Sequence, residues 1–213
     1  EYDDKIDEFY LHLFAKKQPD LNMDNPQVRE EVKKVLRFWL DMGVDGFRED
    51  VITFISKDPR LPNSYPYIPM ANGLKYYSNR PEVHDYLREF KEDVLSKYDC
   101  FVVGESPMTN ADVALSYVSE GEDQVLDEMI AFSHMEADCF MTDALRMPFD
   151  LVKMKKAFSD WQYKLAGRGW NALYIENHDH PRIISRYGSE RYREESGKML
   201  AAMYILQRGT PFI

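Results

Sequence analysis

The sequence contains no long apolar run and little cysteine. None of its apolar stretches approaches the roughly 20 residues that a transmembrane helix needs, so the sequence predicts no membrane span. Its two cysteines, Cys100 and Cys139, lie in apolar stretches and lack the spacing of metal ligands. We interpret them as buried thiols in a reducing compartment, which predicts a cytoplasmic protein.

Positive charge is also scarce. The chain has 27 Lys and Arg residues against 37 Asp and Glu, which gives a net charge of −10 at pH 7. Proteins that bind nucleic acids or anionic membranes present a basic surface, so we expect neither partner. The 213 residues are 44% hydrophobic and 30% charged, a balance typical of a globular chain with one sizeable core or two small ones.

A glycine-rich phosphate loop is the third feature that the sequence lacks. Gly43 and Gly46 precede an apolar strand and do not open a helix, which argues against dinucleotide binding. Apolar strands instead alternate with amphipathic helices, and this pattern predicts an α/β fold with a parallel sheet. The strands are predicted over 44–51, 100–105, 125–132, 171–176 and 209–213, with a weaker candidate over 10–14. The helices are predicted over 26–42, 81–98, 111–119, 148–166 and 189–207, with a long loop over 52–80.

The first candidate site residues lie in the segment 46–51. Because alternate residues of a strand share a face, Arg48 and Asp50 are expected to form an ion pair, which is either functional or structural. Two further acids, Glu105 and Asp179, also follow apolar strands. The carboxyl ends of parallel strands meet at one edge of a sheet, so the sequence predicts three carboxylates in a shared site.

The composition of this candidate site limits its chemistry. Carboxylates without clustered cysteine or histidine suit either a hard metal ion or paired acid–base work. Cleavage of a glycosidic bond needs two carboxyl groups, one as nucleophile or base and one as proton donor. The cation of Arg48 favours the ionised form of Asp50, which suits the nucleophile. The apolar approach over 101–104 predicts a raised pKa for Glu105, which suits the proton donor.

Four short blocks resemble, in order and spacing, sequence blocks of the α-amylase family of glycoside hydrolases, known as family thirteen. They are QPDLN at 18–22, GFREDVI at 46–52, VGE at 103–105 and ENHD at 176–179. The chain between them resembles the oligo-1,6-glucosidase and α-glucosidase branch, notably at 54–57, 76–79 and 169–173. That family folds as a (β/α)8 barrel with a small domain inserted after the third strand. The resemblance implies that 1–22 are the tail of this inserted domain and that 23–213 are the C-terminal part of the barrel, with its strands four to eight.

The resemblance also implies a role for each acid when it is carried over by position. Asp50 would be the nucleophile and Glu105 the general acid/base. Asp179 would be a third acid, which binds sugar hydroxyls and favours a distorted ring. Arg48 would position Asp50.

Substrate binding is implied for four further residues. His178 would bind the sugar in the first subsite, and Asn177 and Arg182 would contact the substrate nearby. Val51 follows the nucleophile, and in this family a valine there accompanies a preference for α-1,6 bonds, whereas threonine or alanine accompanies α-1,4.

The expected function is therefore a retaining α-glucosidase that hydrolyses α-1,6, and also α-1,4, glucosidic bonds of isomalto-oligosaccharides. Trehalose-6-phosphate hydrolase and dextran glucosidase of the same family are alternatives, because they share the valine. A non-catalytic barrel relative that serves as a binding or assembly module would lose the acids, which are all present. A metal-dependent hydrolase would need histidines at strand ends, and only His178 qualifies. We expect no cofactor, with any structural Ca2+ confined to the N-terminal part of the barrel.

The sequence departs from the family pattern at several positions. Glu49 stands where relatives carry an apolar residue, and burying a lone carboxylate is costly. Met23, Ser133 and His180 replace a usual tryptophan, glutamate and glutamine, and His180 is either a substrate-pocket residue or an ordinary loop histidine. The blocks of the first three strands are absent. We therefore expect the chain to be an excerpt of a longer enzyme or a truncated product, inactive alone.

Overall fold

The computed structural model describes residues 1–65, 72–140 and 142–213, so part of the predicted 52–80 loop lies outside the described residues. The strands are β1 (Tyr2–Asp3), β2 (Glu8–Phe9), β3 (Gly46–Glu49), β4 (Phe101–Ser106), β5 (Glu128–Ala131), β6 (Cys139–Phe140), β7 (Thr142–Arg146), β8 (Ala172–Leu173) and β9 (Thr210–Pro211). The α-helices are α1 (Pro26–Asp41), α2 (Glu82–Asp93), α3 (Ala111–Val118), α4 (Leu151–Leu165), α5 (Ile183–Tyr187) and α6 (Arg193–Ile205). Short 3-10 helices lie at Ile52–Phe54, Leu74–Tyr76, Leu95–Lys97 and Ser133–Glu136.

The chain divides into two compact units. The first unit consists of Glu1–Val44 and Thr53–Asp99, and the second unit consists of Asp45–Ile52 and Cys100–Ile213. Within the described ranges, every helix is too short or too polar to span a lipid bilayer.

The first unit is built on α1 and α2. Asn25 caps α1, because its side chain accepts a hydrogen bond of 2.9 Å from the backbone N–H of Gln27. Charge joins the two helices: Nζ of Lys33 on α1 lies 2.6 Å from a carboxylate oxygen of Glu89 and 2.6 Å from one of Asp93, both on α2. The unit therefore owes part of its cohesion to a buried lysine that has two acidic partners on α2 and a third, Glu30, on α1.

The N-terminal segment differs from its prediction. The weak strand candidate over 10–14 is wrong, because that segment has no regular structure. A small antiparallel hairpin forms before it, in which β1 pairs with β2 and Tyr2 lies opposite Phe9. The two rings pack with their centroids 5.1 Å apart, a contact that the polar sequence around them does not indicate.

The second unit contains a five-stranded parallel sheet in the order β3-β4-β5-β8-β9. β3 and β4 approach closely at Gly46, where φ is +150° and an added Cβ would lie 1.8 Å from the carbonyl oxygen of Phe101. Only glycine fits this position. In register, Arg48 lies beside Val103 and Glu49 lies beside Gly104. Because the strands run in the same direction, their carboxyl ends share one edge of the sheet.

Helix caps and an apolar cluster complete the second unit. The side chain of Asn110 accepts from the backbone N–H of Val113 at 3.0 Å to cap α3, and Asp150 accepts from that of Val152 at 2.8 Å to cap α4. Towards the end of the chain, β8, α5 and α6 bury a shared core. Its buried members are Leu173, Ile175, Ile183, Leu200 and Tyr204.

The predicted order of strands and helices is confirmed, with most elements shorter than expected. Each long helix and each strand of the parallel sheet overlaps its predicted range. The antiparallel pair of β6 and β7, and the short helix α5, were not predicted. The division of the chain at residue 22 stays a prediction.

Candidate active site

Three predicted site residues meet where β3 and β4 end, all within the second unit. Nη1 of Arg48 lies 2.5 Å from Oδ1 of Asp50, and its Nη2 donates a hydrogen bond to Oε2 of Glu105. The two carboxyl groups also lie close enough for each to shift the pKa of the other. One guanidinium thus bridges two acids that come from neighbouring strands, as the convergence of strand ends predicts.

The two carboxyl groups have different environments. Glu105 is 3% exposed, whereas the side chain of Asp50 is 71% exposed. Burial, and then the neighbouring Asp50 carboxylate, raise the pKa of Glu105 to about 7. Partial desolvation works to raise the pKa of Asp50, but the interactions with Glu105 and with the Arg48 cation outweigh it and hold that pKa below its usual value. Below about pH 7 the pair therefore keeps one proton, and that proton resides on Glu105.

Val51 links the two acids through its backbone. It follows Asp50 directly, and its φ of +43° lies in the left-handed region, which a β-branched residue rarely adopts. In this conformation the backbone N–H of Val51 is close enough to Glu105 to work towards a lower pKa of that acid. Backbone strain of this kind costs on the order of 1–3 kcal/mol and is typical of functional sites.

The loop 176–182 carries the other predicted site residues. Nε2 of His178 lies 3.6 Å from Oδ1 of Asp179, and both side chains are mostly exposed. The backbone N–H of Asp179 donates to Oδ1 of Asn177 at 3.0 Å, which forms a local turn. His178 is close enough to Asp50 for its charge to lower the pKa of that acid. Among the described contacts, the Asp179 carboxylate contacts His178 and is not joined to Asp50 or Glu105.

Arg182 has a structural partner. Its Nη1 donates to Oε1 of Glu176, whose other oxygen accepts from the backbone N–H of Ile183 at 2.8 Å, at the start of α5. The Arg182 side chain is 84% exposed, so its guanidinium remains accessible to solvent. Its assignment to substrate binding, like the roles of the other site residues, stays a prediction.

Glu49, the unexpected acid of β3, has an enclosed carboxyl group. The residue is partly buried, and its Oε2 is shielded from solvent with no hydrogen-bond partner among the described residues. Burial raises the pKa of Glu49 to about 7. The sequence predicts that burial of this carboxylate is costly, and the raised pKa of Glu49 reflects that cost, because burial disfavours the ionised form.

Tyr174 is a site neighbour that the sequence prediction missed. It is buried just beyond β8, and its ring centroid lies 4.8 Å from that of His134 and 5.8 Å from that of Phe132. Burial, and then the charge of Glu105, raise the pKa of Tyr174 above its usual value. Burial also lowers the pKa of His134 to about 4, so this histidine is neutral. The available signal was a hydroxyl at the end of an otherwise apolar strand.

The described residues contain no group of three or more His, Cys, Asp and Glu side chains that could hold a metal ion. The prediction that the protein needs no cofactor stays untested. What the arrangement offers below about pH 7 is an ionised acid beside a protonated acid, both contacted by one arginine.

Comparisons with known proteins agree with this site. The family model described as "Alpha amylase, catalytic domain" matches residues 1–213. The oligo-1,6-glucosidase of Parageobacillus thermoglucosidasius is 46% identical over the whole chain, and the trehalose-6-phosphate hydrolase of Bacillus subtilis is 42% identical. In each case the chain spans 38% of the length of the relative.

Solved structures match equally well. The trehalose-6-phosphate hydrolase of Bacillus licheniformis superposes with a TM-score of 0.85 at 41% identity, over 96% of this chain and 36% of that protein. The isomaltulose synthase of Erwinia rhapontici superposes with a TM-score of 0.89 at 36% identity, over 100% of this chain and 38% of that protein. These matches confirm the predicted α/β fold, in which the parallel sheet is part of a (β/α)8 barrel. The chain accordingly belongs to the alpha-amylase family and supplies part of its catalytic domain.

Proposed function

We propose that the protein is a retaining α-glucosidase in which Asp50 is the nucleophile and Glu105 the general acid/base. The observation that carries the proposal is the pair of acids whose pKa values are driven apart, one below its usual value and the other to about 7. Assignment of acid and base to two carboxyl groups follows from such a difference.

The proposed reaction has two displacements at the anomeric carbon. In the first, the Asp50 carboxylate attacks that carbon while Glu105 gives its proton to the glycosidic oxygen, so the leaving sugar departs as an alcohol and a glycosyl ester remains. In the second, Glu105 takes a proton from water, and the oxygen of that water displaces Asp50. The anomeric carbon is thus attacked twice, from opposite faces, and the sugar keeps its α configuration.

The separation of the acids supports retention over inversion. Carboxyl groups of inverting enzymes lie about 6.5–9.5 Å apart to admit a water molecule, whereas those of retaining enzymes lie about 5–5.5 Å apart. The Arg48 guanidinium contacts both Asp50 and Glu105, and each acid shifts the pKa of the other, so the two carboxyl groups are close neighbours, which supports the shorter separation of a retaining pair.

For the substrate, we propose α-1,6-linked isomalto-oligosaccharides, bound with the help of Asp179, His178, Asn177 and Arg182. The oligo-1,6-glucosidase names of several relatives at 44–46% identity support this choice. Val51 next to the proposed nucleophile supports it independently. Its branched apolar side chain offers a sugar no hydrogen bond.

Trehalose 6-phosphate is the second candidate substrate. A trehalose-6-phosphate hydrolase is 42% identical to the chain, only slightly less than the first relatives. Comparison of the rates of hydrolysis of isomaltose, maltose and trehalose 6-phosphate separates the two functions. Whichever of the two functions applies, we propose that the protein is cytoplasmic.

The experiment uses the full-length protein. We expect kcat/KM to be higher for isomaltose than for the other two sugars, and NMR to detect α-glucose as the first product. Asp50→Asn should abolish hydrolysis, because an amide cannot form the glycosyl ester, whereas Asp160→Asn on the exposed face of α4 should be fully active. A β-glucose first product, or an active Asp50→Asn variant, would contradict the proposed mechanism.

A further inference from the structure

The loop 176–182 has little regular structure to hold it. The strand before it, β8, has only two residues, and the helix after it, α5, has only five. Yet this loop carries His178 and Asp179, two of the groups that the proposed function assigns to sugar binding. Something other than backbone pairing has to fix the loop.

The contacts of Arg186 on α5 supply such a restraint. Its side chain is 2% exposed. Its Nη2 lies 2.6 Å from Oδ1 of Asp138 and its Nε lies 3.0 Å from Oδ2, so the guanidinium grips both carboxylate oxygens. The same Nη2 donates to the backbone carbonyl of Met135 at 2.6 Å. Fork-shaped pairing of this kind fixes orientation as well as distance.

Asp138 is held from further directions. Tyr187, also on α5, donates from its hydroxyl to Oδ1 at 3.2 Å, and Nη1 of Arg146 on β7 lies 2.8 Å from Oδ2. Desolvation works to raise the pKa of Asp138, but the hydrogen bond and charge of Arg186 outweigh it and hold the pKa below its usual value. The carboxylate therefore stays ionised, and the pair is a permanent one at neutral pH.

The stretch 132–138 meets the loop at a second place. The ring of Phe132 packs on those of Tyr174 and His180, with centroid distances of 5.8 and 6.1 Å. The aromatic contact involves His180 within the loop, and the ion pair involves Arg186, which follows the loop on α5. The loop is thus attached on both sides to the segment that follows β5, the strand paired with the Glu105 strand.

We propose that Arg186 and Asp138 are positioning residues that hold the loop 176–182 in the geometry that its sugar-binding groups need. This inference rests on the proposed function, since that function assigns His178 and Asp179 to the sugar. A displacement of about 1 Å, caused by a change far from the reacting atoms, can lower a rate by about a hundredfold.

The test compares Arg186→Met, Arg186→Lys and Asp138→Asn with wild type in the full-length protein. Lys198→Met is the matched control, because it removes an ion pair that is exposed on both sides and lies in the same unit. We expect Arg186→Met to lower kcat/KM for isomaltose by up to about a hundredfold per folded active site. Arg186→Lys, which keeps one charge contact without the fork, should lose less, and Lys198→Met should match wild type.

Two further readouts separate positioning from a general loss of stability. The pH limbs of kcat/KM should keep their positions in the Arg186 variants, because the Asp50–Glu105 pair is untouched. Amide hydrogen exchange over 176–182 should become faster, whereas exchange in β4 should not change.

The inference is overturned if Arg186→Met lowers only the unfolding temperature, with kcat/KM per folded site and exchange over 176–182 equal to wild type. An inactive wild-type protein whose 176–182 exchange still depends on Arg186 would contradict the proposed function and support the restraint on the loop. The two failures are therefore distinguishable.

Discussion

Replacement of Glu49 by glutamine is expected to stabilise the protein at neutral and alkaline pH. Burial raises the pKa of Glu49 from its ordinary 4.5 to about 7, and its Oε2 has no hydrogen-bond partner among the described residues. Glutamine keeps the shape of the protonated acid and cannot ionise. The substitution therefore removes the destabilisation that ionisation of Glu49 causes.

The sign and size follow from proton linkage. Below about pH 4 the carboxyl group is protonated in both folded and unfolded chains, so the two proteins should be equally stable. Between 4.5 and about 7, only the unfolded chain releases the proton, so wild-type stability falls as pH rises. Above about 7 the loss is complete and amounts to about 3 kcal/mol, at about 1.4 kcal/mol per pKa unit.

The assay is denaturant unfolding of the full-length wild type and E49Q across this pH range. The stability difference between them should grow from near zero to about 3 kcal/mol, because other titrating groups cancel in the comparison. Glu122→Gln, which changes an exposed acid, should give a difference that does not vary with pH. A pH-independent difference for E49Q would refute the reasoning, because it would mean that Glu49 ionises normally in the folded protein.

Three further predictions follow from the charges and the proposed specificity. Arg48→Met should move both pH limbs of kcat/KM to higher pH, because the Arg48 cation lowers the pKa values of Asp50 and Glu105. Limbs that do not move would show that Arg48 does not control the protonation of the two acids. Val51→Thr should lower the ratio of kcat/KM for isomaltose to kcat/KM for maltose by roughly 10-fold or more, because a methyl-sized change in a pocket is worth about 1–3 kcal/mol. An unchanged ratio would contradict the proposed role of Val51 in specificity. Lys33→Met should lower the unfolding free energy by about 1–3 kcal/mol, because it leaves Glu89 and Asp93 without the cation that joins them to α1. Lys34→Met, at an exposed pair, should be neutral within error.

The sequence was a good guide wherever one strand or helix determines the outcome. The apolar run before Glu105 and the glycine at the start of β3 predicted two neighbouring parallel strands, and Arg48, Asp50 and Glu105 meet at their ends. The lengths of the strands were predicted less well, because a strand extends only as far as its backbone finds hydrogen-bonding partners on a neighbouring strand. β8 and β9 have only two residues each, and the backbone N–H groups of Thr210 and Phe212, on either side of Pro211, donate to the carbonyls of Asn171 and Leu173.

Contacts between irregular segments could not be read from the sequence. Arg186 and Asp138 are 48 residues apart, and no local pattern connects a charge on a short helix with one that follows a 3-10 turn. The left-handed conformation of Val51 was equally hidden, since a valine favours extended backbone and only the surrounding structure imposes φ of +43°.

The measurement that tests the central claim most directly is covalent trapping of the glycosyl enzyme. The full-length protein is incubated with a fluorinated glucosyl substrate that reacts in the first step and turns over slowly in the second, and digestion with mass spectrometry then locates the label. The account predicts one glucosyl ester, on Asp50, which forms in the wild type and is absent from the Asp50→Asn variant. A label on another residue, or hydrolysis of isomaltose with no covalent intermediate and with β-glucose as the first product, would contradict it.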